Sequence, residues 1–335
     1  MKTIAYTHAG LPIADPASLV DIDQPAPVPG PRDLLVQVRA VSVNPVDTKI
    51  RANVAVDAPR VLGWDASGVV QAVGSGVTLF KPGDAVFYAG ALTRPGTNSE
   101  LHVVDERLVG HKPASLDDAA AAALPLTSIT AWEILFDRLG VAEGGGAGQH
   151  LLVVGAAGGV GSILVQLARQ LTKLTVIGTA SRPETADWVR ELGAHQVIDH
   201  TQPLAAELKR IGIPQVEFVA SLTHTDSHLA QIAEALAPQG HLALIDDPKT
   251  LDIVPFKRKS ASVHWEFMFT RSMFETADMA AQHALLERVS KLVDDGVLKT
   301  TLAENFGTIN AANLRRAHAL IESGRARGKV VLQGF

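Results

Sequence analysis

The sequence contains no cysteine among its 335 residues. Disulfides and thiolate metal sites are excluded, and a zinc ion would need His, Asp and Glu alone. A secreted, disulfide-stapled scaffold is ruled out, so a cytoplasmic location is the expectation. Aromatic residues are scarce, at 5%, and charged residues make up 19%, with a formal net charge of −5. That mild acidity gives no reason to expect a nucleic-acid or anionic-membrane partner. Long apolar runs are missing. The longest, Ala119 to Leu126, is alanine-rich and broken by Pro125, well short of the roughly 18 residues expected of a membrane span. The start, MKTIAYTHAGLP, has no apolar core followed by a small-residue cleavage site, so no signal peptide is expected.

What is present is an ordinary globular balance, 47% apolar, over a length that suggests two domains of about 150 residues each. The texture changes near residue 126. Before it, short apolar runs such as Leu34–Asn44, Gly68–Val77 and Lys81–Gly90 are punctuated by glycine and proline, as in a mostly β domain. From about Ala147 strands and helices alternate. His150–Ala156, Leu174–Ala180, His195–Asp199, Gln215–Ser221 and His241–Asp246 read as strands, with helices over Gly159–Leu171 and Arg182–Leu192. That alternation predicts an α/β fold with a doubly wound parallel sheet. The tail adds amphipathic helices over His283–Val293 and Ala311–Ser323 and a last strand, Lys329–Gln333.

The most specific signal is GAAGGVGS, Gly155–Ser162, between a strand and a helix. It departs from G-x-G-x-x-G, because Ala156 stands at the first position. The chemistry survives: Gly158 lets backbone approach a pyrophosphate, and Gly161 lets helix and strand pack closely. Ala156, Gly158, Gly159, Val160 and Gly161 form the expected cofactor-binding turn. At the end of the next strand, where an NAD site carries Asp or Glu, stand Ser181 and Arg182. A guanidinium suits a dianionic 2′-phosphate, which predicts NADPH over NADH; the bland alternative is that the pair caps the following helix. His224 and His228, four apart around Asp226, read as a solvated helix start capped by Thr223 or Thr225 rather than a metal pair.

SVNPVDTKIR (42–51), VLGWDASGVV (61–70), FKPGDAVFYAG (80–90), LPLTSITAWEIL (124–135), the glycine turn, TASRPETADWV (179–189), SVHWEFMFTRSMF (262–274) and ESGRARGKVVL (322–332) span nearly the whole chain. Together they resemble the medium-chain dehydrogenase/reductase superfamily, in its quinone-oxidoreductase branch, and especially the group labelled zinc-type alcohol dehydrogenase-like. The resemblance implies a discontinuous GroES-like β-rich catalytic domain, residues 1–126 and 271–335, and a Rossmann NADP-binding domain, residues 127–270. It also implies a homodimer joined through the 264–269 strand. The zinc-binding members hold their metal with a Cys, the His of Gly-His-Glu, and a second Cys. Here Asn44, Trp64 and a position near Leu126 fill those places, Val46 replaces the proton-relay hydroxyl, and no four-Cys lobe is present. No metal is therefore expected.

The resemblance further implies Asn44, Tyr88 and Thr130 as catalytic candidates, each with an alternative: a turn residue before Pro45, core packing, and a helix cap. Ser221, Leu222 and Ile245 end strands at the expected ligand edge. Lys329 matches a lysine placed by the cofactor, against the alternative of a surface charge. Asp47, Lys49 and Asp65 are expected to form a charged surround or a structural ion pair. The implied function is hydride transfer from NADPH to a quinone or α,β-unsaturated carbonyl, a small-molecule substrate. A zinc-dependent alcohol dehydrogenase and a non-catalytic, crystallin-like NADPH-binding protein are the alternatives.

Overall fold

Alternating burial along the first third of the chain makes strands rather than helices. The computed structural model describes residues 1–335. In chain order, Met1–Ile129 contains β1 (Lys2–Tyr6), β2 (Val20–Asp23), β3 (Asp33–Val43), β4 (Arg60–Val61), β5 (Ala66–Val73), β6 (Ala85–Tyr88), β7 (Leu101–Asp105) and β8 (Val109–His111). Helix α1 (Pro45–Asn53) starts at Asn44. Proline at the first helical position suits its fixed φ, and the Asp47 carboxylate accepts from the Asn44 backbone N–H as a capping box. Short α2 (Asp118–Ala122) leads into α3 (Pro125–Trp132), which continues as a wide turn over Glu133–Arg138. The helical run Asp118–Arg138 is long and apolar enough to cross a membrane, but 89% of its most apolar stretch is buried.

Thr130–Met268 forms a second compact unit. Its strands are β9 (His150–Val154), β10 (Thr175–Thr179), β11 (Gln196–Ile198), β12 (Val216–Ser221), β13 (Leu236–Leu244) and β14 (Ser262–Trp265). They pair in parallel in the order β11-β10-β9-β12-β13-β14. That is the 3-2-1-4-5-6 order of a Rossmann sheet. Connecting helices are α4 (Gly159–Leu171), α5 (Pro183–Glu191), α6 (Leu204–Arg210) and α7 (Thr225–Ala235). Leu152, Val154, Ile177, Val219, Leu242 and Leu244 are buried in its core, the near-continuous apolar runs expected of strands covered on both faces. The strand expected over 264–269 instead ends at Trp265.

Phe269–Phe335 returns to the first unit through α8 (Thr270–Phe274), α9 (Ala281–Asp294), β15 (Leu302–Asn305), α10 (Ala311–Glu322) and β16 (Lys329–Gln333). β16 pairs antiparallel with β3, Val330 opposite Val43. The resulting sheet runs β15-β16-β3-β5-β6-β8, with β7 also on β3. β1 lies between β2 and β4 in a separate three-stranded sheet. These are a GroES-like β domain and a Rossmann-like domain.

Candidate active site

The glycine turn after β9 has two tasks, which two different glycines perform. Gly155 adopts φ +81° and opens the turn, a conformation that glycine tolerates without a Cβ penalty. A Cβ on Gly161 would lie 2.5 Å from the Gly155 carbonyl oxygen and 2.6 Å from the Ala156 Cα, so α4 packs on the turn only with glycine there. A Cβ on Gly158 would meet only the Gly155 oxygen, at 3.5 Å. The protein itself leaves that space open. Gly158, Gly159 and Val160 are half-buried, Ala156 and Gly161 fully so. Helix α4 therefore presents unpaired N–H groups and its positive dipole end over a glycine cradle suited to a dinucleotide pyrophosphate.

At the end of β10, Ser181 is exposed, and Arg182 occupies the N-cap position of α5 without a side-chain cap bond. Its guanidinium lies 3.4 Å from Glu184. At the end of β12 a buried chain of hydroxyls runs to a carboxylate. Thr225 Oγ1 donates to Asp246 Oδ1 at 2.5 Å, and Ser221 Oγ lies 2.7 Å from Thr225 Oγ1. A carboxylate accepts only, so Thr225 spends its proton on Asp246 and Ser221 donates to Thr225. Ser221 is thereby fixed as an acceptor toward any ligand at the sheet edge. Leu222 and Ile245 are half-buried beside it. The N-cap of α7 is His224 itself, at φ +52°, not Thr223 or Thr225. The hydroxyl of Thr225 is consumed by Asp246, and the Nδ1 of His228 is buried rather than solvated.

In the first unit the surprise is Lys329. It is 3% exposed, not a surface charge. Its ammonium donates to Val43 O at 3.1 Å, to Asp65 Oδ2 at 3.0 Å and to Asn44 Oδ1. All three protons are used within the protein, so the cofactor contact implied for it is not available in this arrangement. The Asn44 amide is equally committed. Its Nδ2 donates to Asp65 Oδ2 at 2.8 Å and to Ser42 O at 3.4 Å. Asp65 Oδ1 accepts from Leu126 N, while Asp47 accepts from the backbone N–H groups of Asn44 and Gly63. Burial pushes Asp47 up to about 7, against the pull of those N–H groups and Lys329. Burial also raises Asp65, and Lys329 opposes it. The cation of this cluster is thus Lys329. Lys49, expected there, is exposed on α1.

Tyr88 is fully buried, with its hydroxyl 3.0 Å from His102 Nδ1. His102 Nε2 faces the Pro95 carbonyl at 3.0 Å. A carbonyl can only accept, so Nε2 carries the proton, Nδ1 accepts, and Tyr88 donates to it. Burial holds His102 neutral, down to about 4, and pushes Tyr88 up. The structure places Tyr88 in the core, with its proton committed. Thr130 is buried in α3. Leu92–Pro95 lines with Arg60 a groove of about 420 Å³ that holds none of the expected site residues.

The residues present do not fit a catalytic zinc. Asn44 has both amide protons committed to protein acceptors and its Oδ1 facing the Lys329 ammonium, Leu126 is apolar, and Trp64 is buried with its indole N–H donating to Ala91 O at 3.2 Å. No group of three or more His, Asp or Glu is arranged to hold a metal ion.

Residues 30–114 match the alcohol dehydrogenase GroES-like domain, and 192–332 the zinc-binding dehydrogenase family. A zinc-type alcohol dehydrogenase-like protein of Staphylococcus aureus strain MRSA252 is 40% identical over 92% of this chain and 93% of its own. The crystal structure of a Rhizobium etli CFN 42 protein, assigned as a zinc-dependent alcohol dehydrogenase, is 59% identical. Its TM-score is 0.95 over 100% of this chain and 98% of that one. The quinone oxidoreductase of Pseudomonas syringae pv. tomato DC3000 is 26% identical, with a TM-score of 0.83 over 99% of both. With both domains matched and the relatives covered almost end to end, the chain belongs to the medium-chain dehydrogenase/reductase superfamily, beside its zinc-type alcohol dehydrogenase-like proteins.

Proposed function

We propose that this oxidoreductase transfers hydride from NADPH to a quinone or α,β-unsaturated carbonyl without metal assistance. The observation that carries the reading is the Lys329–Asp65–Asn44 cluster. An ammonium ion and a carboxamide whose protons are both committed within the protein stand at the position where zinc-binding relatives place a thiolate ligand. Quinones and enones need no Lewis acid, because negative charge delocalises onto the carbonyl oxygen as hydride arrives. The likeness to a quinone oxidoreductase supports the same acceptor class.

When bound, NADPH supplies the hydride. The chain's residues bind and orient. The α4 N-terminus and the Gly158 cradle take the pyrophosphate. Ser181 and Arg182 take the 2′-phosphate, and Ser221 accepts from the ligand at the end of β12. Thr130 is assigned to the reacting end of the site. Asn44 acts by holding Lys329 and Asp65 in place in a charge-compensated cluster. Proximity and orientation then supply most of the acceleration.

An acceptor screen with purified protein, followed by cofactor absorbance, tests the reading. Turnover of quinones or enones with NADPH, unchanged by chelator, is expected. Chelator-sensitive alcohol oxidation would replace it with the zinc-dependent reading, and tight NADPH binding without turnover on any acceptor with a structural, crystallin-like one. Arg182→Ala should lose its preference for NADPH over NADH by roughly tenfold or more, the scale of one charge-assisted contact. An unchanged preference would remove Arg182 from cofactor choice.

A further inference from the structure

Three histidines from two separate segments converge at the carboxyl edge of the Rossmann-like sheet. His200 follows β11, while His224 and His228 open α7 after β12. The His200 and His228 rings stand edge to face with centroids 6.3 Å apart. Each has a buried Nδ1 with no hydrogen-bond partner. His224 holds φ +52°, a conformation that a non-glycine residue adopts at a cost and that concentrates at functional positions. β10 and β11 are parallel neighbours, with Ala180 N donating to Ile198 O at 3.0 Å. Arg182 and His200 therefore leave the sheet at adjacent strand ends, and the first of these, the end of β10, is where the ribose 2′ position is read in such folds.

We propose that His200, His224 and His228 form a proton-coupled subsite for the dianionic 2′-phosphate of the adenosine half of NADPH, a role that rests on the NADPH reading above. The chemistry is that of a dormant cation. Burial and mutual repulsion hold His200 and His228 below the ordinary histidine range in the free protein. A dianion beside them reverses the balance and draws a proton onto the cluster. The other charges facing it are few. Asp199 and Asp226 sit beside His200 and His228 and favour protonation. Asp246 is engaged by Thr225, and Glu207 of α6 accepts from Asp199 N and pairs with Arg210. Affinity for NADPH should then fall as pH rises, whereas affinity for NADH, which lacks the phosphate, should not.

Calorimetric titration of NADPH and NADH in two buffers of different ionisation enthalpy, from pH 7 to pH 9, tests this. The phosphate, whose second pKa is about 6, stays dianionic throughout. Proton uptake with NADPH but not NADH is expected, with NADPH affinity weakening by up to about tenfold per pH unit for one linked proton. His200→Gln/His228→Gln should lose both the uptake and the slope while keeping the contact from Arg182. The wild-type buffer comparison stands without any variant. NADPH preferred over NADH with no proton uptake, or uptake undiminished in the double variant, overturns this proposal alone. Equal binding of the two cofactors at every pH overturns it together with the NADPH reading.

Discussion

At the residue scale the Lys329 cluster decides most. A buried carboxylate stripped of its cation is strongly destabilising, whereas removing both charges is not. Lys329→Met should therefore cost about 3–5 kcal/mol in denaturant unfolding. Lys329→Met/Asp65→Asn should recover most of that, because Asn44, released from Lys329, can turn its carbonyl oxygen toward the new amide. A double variant no more stable than the single would show that charge pairing is not what the cluster supplies. Asp47 adds a pH dependence. Its folded pKa is raised to about 7 by burial, above the unfolded value of about 3.9. Between those values the folded state holds a proton that the unfolded chain has lost, so stability falls as pH rises. The contribution is complete below the unfolded value and gone above about 7. Thermal unfolding of wild type should show that decline from pH 5 to pH 8, and Asp47→Asn should flatten it. An equal slope in the variant would assign the decline to other groups.

At the element scale the phosphate turn separates binding from packing. Gly158→Ala places its methyl where only the Gly155 oxygen lies, at 3.5 Å. It should fold with near wild-type stability and bind NADPH weakly, read by quenching of cofactor fluorescence. Gly161→Ala drives a methyl to 2.5 Å from backbone, and should lower stability by about 1–3 kcal/mol, the range for an overpacked core site. If both variants merely unfold, the division of labour is wrong. This region was legible in the sequence because its signals are local. Turn, dipole and apolar period fall within one strand and one helix, and α4 occupies Gly159–Leu171 as its apolar spacing implies. His224 was not legible as a left-handed cap, because Thr223 and Thr225 on either side are the ordinary capping residues. Only the Asp246 carboxylate, just past the end of β13, draws Thr225 away from that role.

At the scale of the whole molecule, what sequence patterns conceal is register. The strand Lys329–Gln333 is plain from its apolar run, but nothing local says that it pairs with β3 so that Val330 faces Val43. That pairing carries Lys329 across 285 residues of sequence to Asn44, and it turns an apparent surface charge into the centre of a buried cluster. The convergence of His200 with His228 is likewise tertiary. The edge of the six-stranded sheet poses the remaining question. β14 pairs only with β13. Trp265 at its end and Phe267 just beyond it are 54% and 46% exposed. An edge with exposed aromatics and no lysine or proline to blunt it invites pairing with another chain, and a second copy offers the same edge in a closed two-fold arrangement. Light scattering should give about twice the 35.4 kDa chain mass. Trp265→Lys/Phe267→Lys, which places charge on that edge, should give the single-chain mass with the fold retained by circular dichroism. A wild-type mass of one chain would mean that the edge is guarded by its twist and its short length of four residues, and that the aromatics serve another surface.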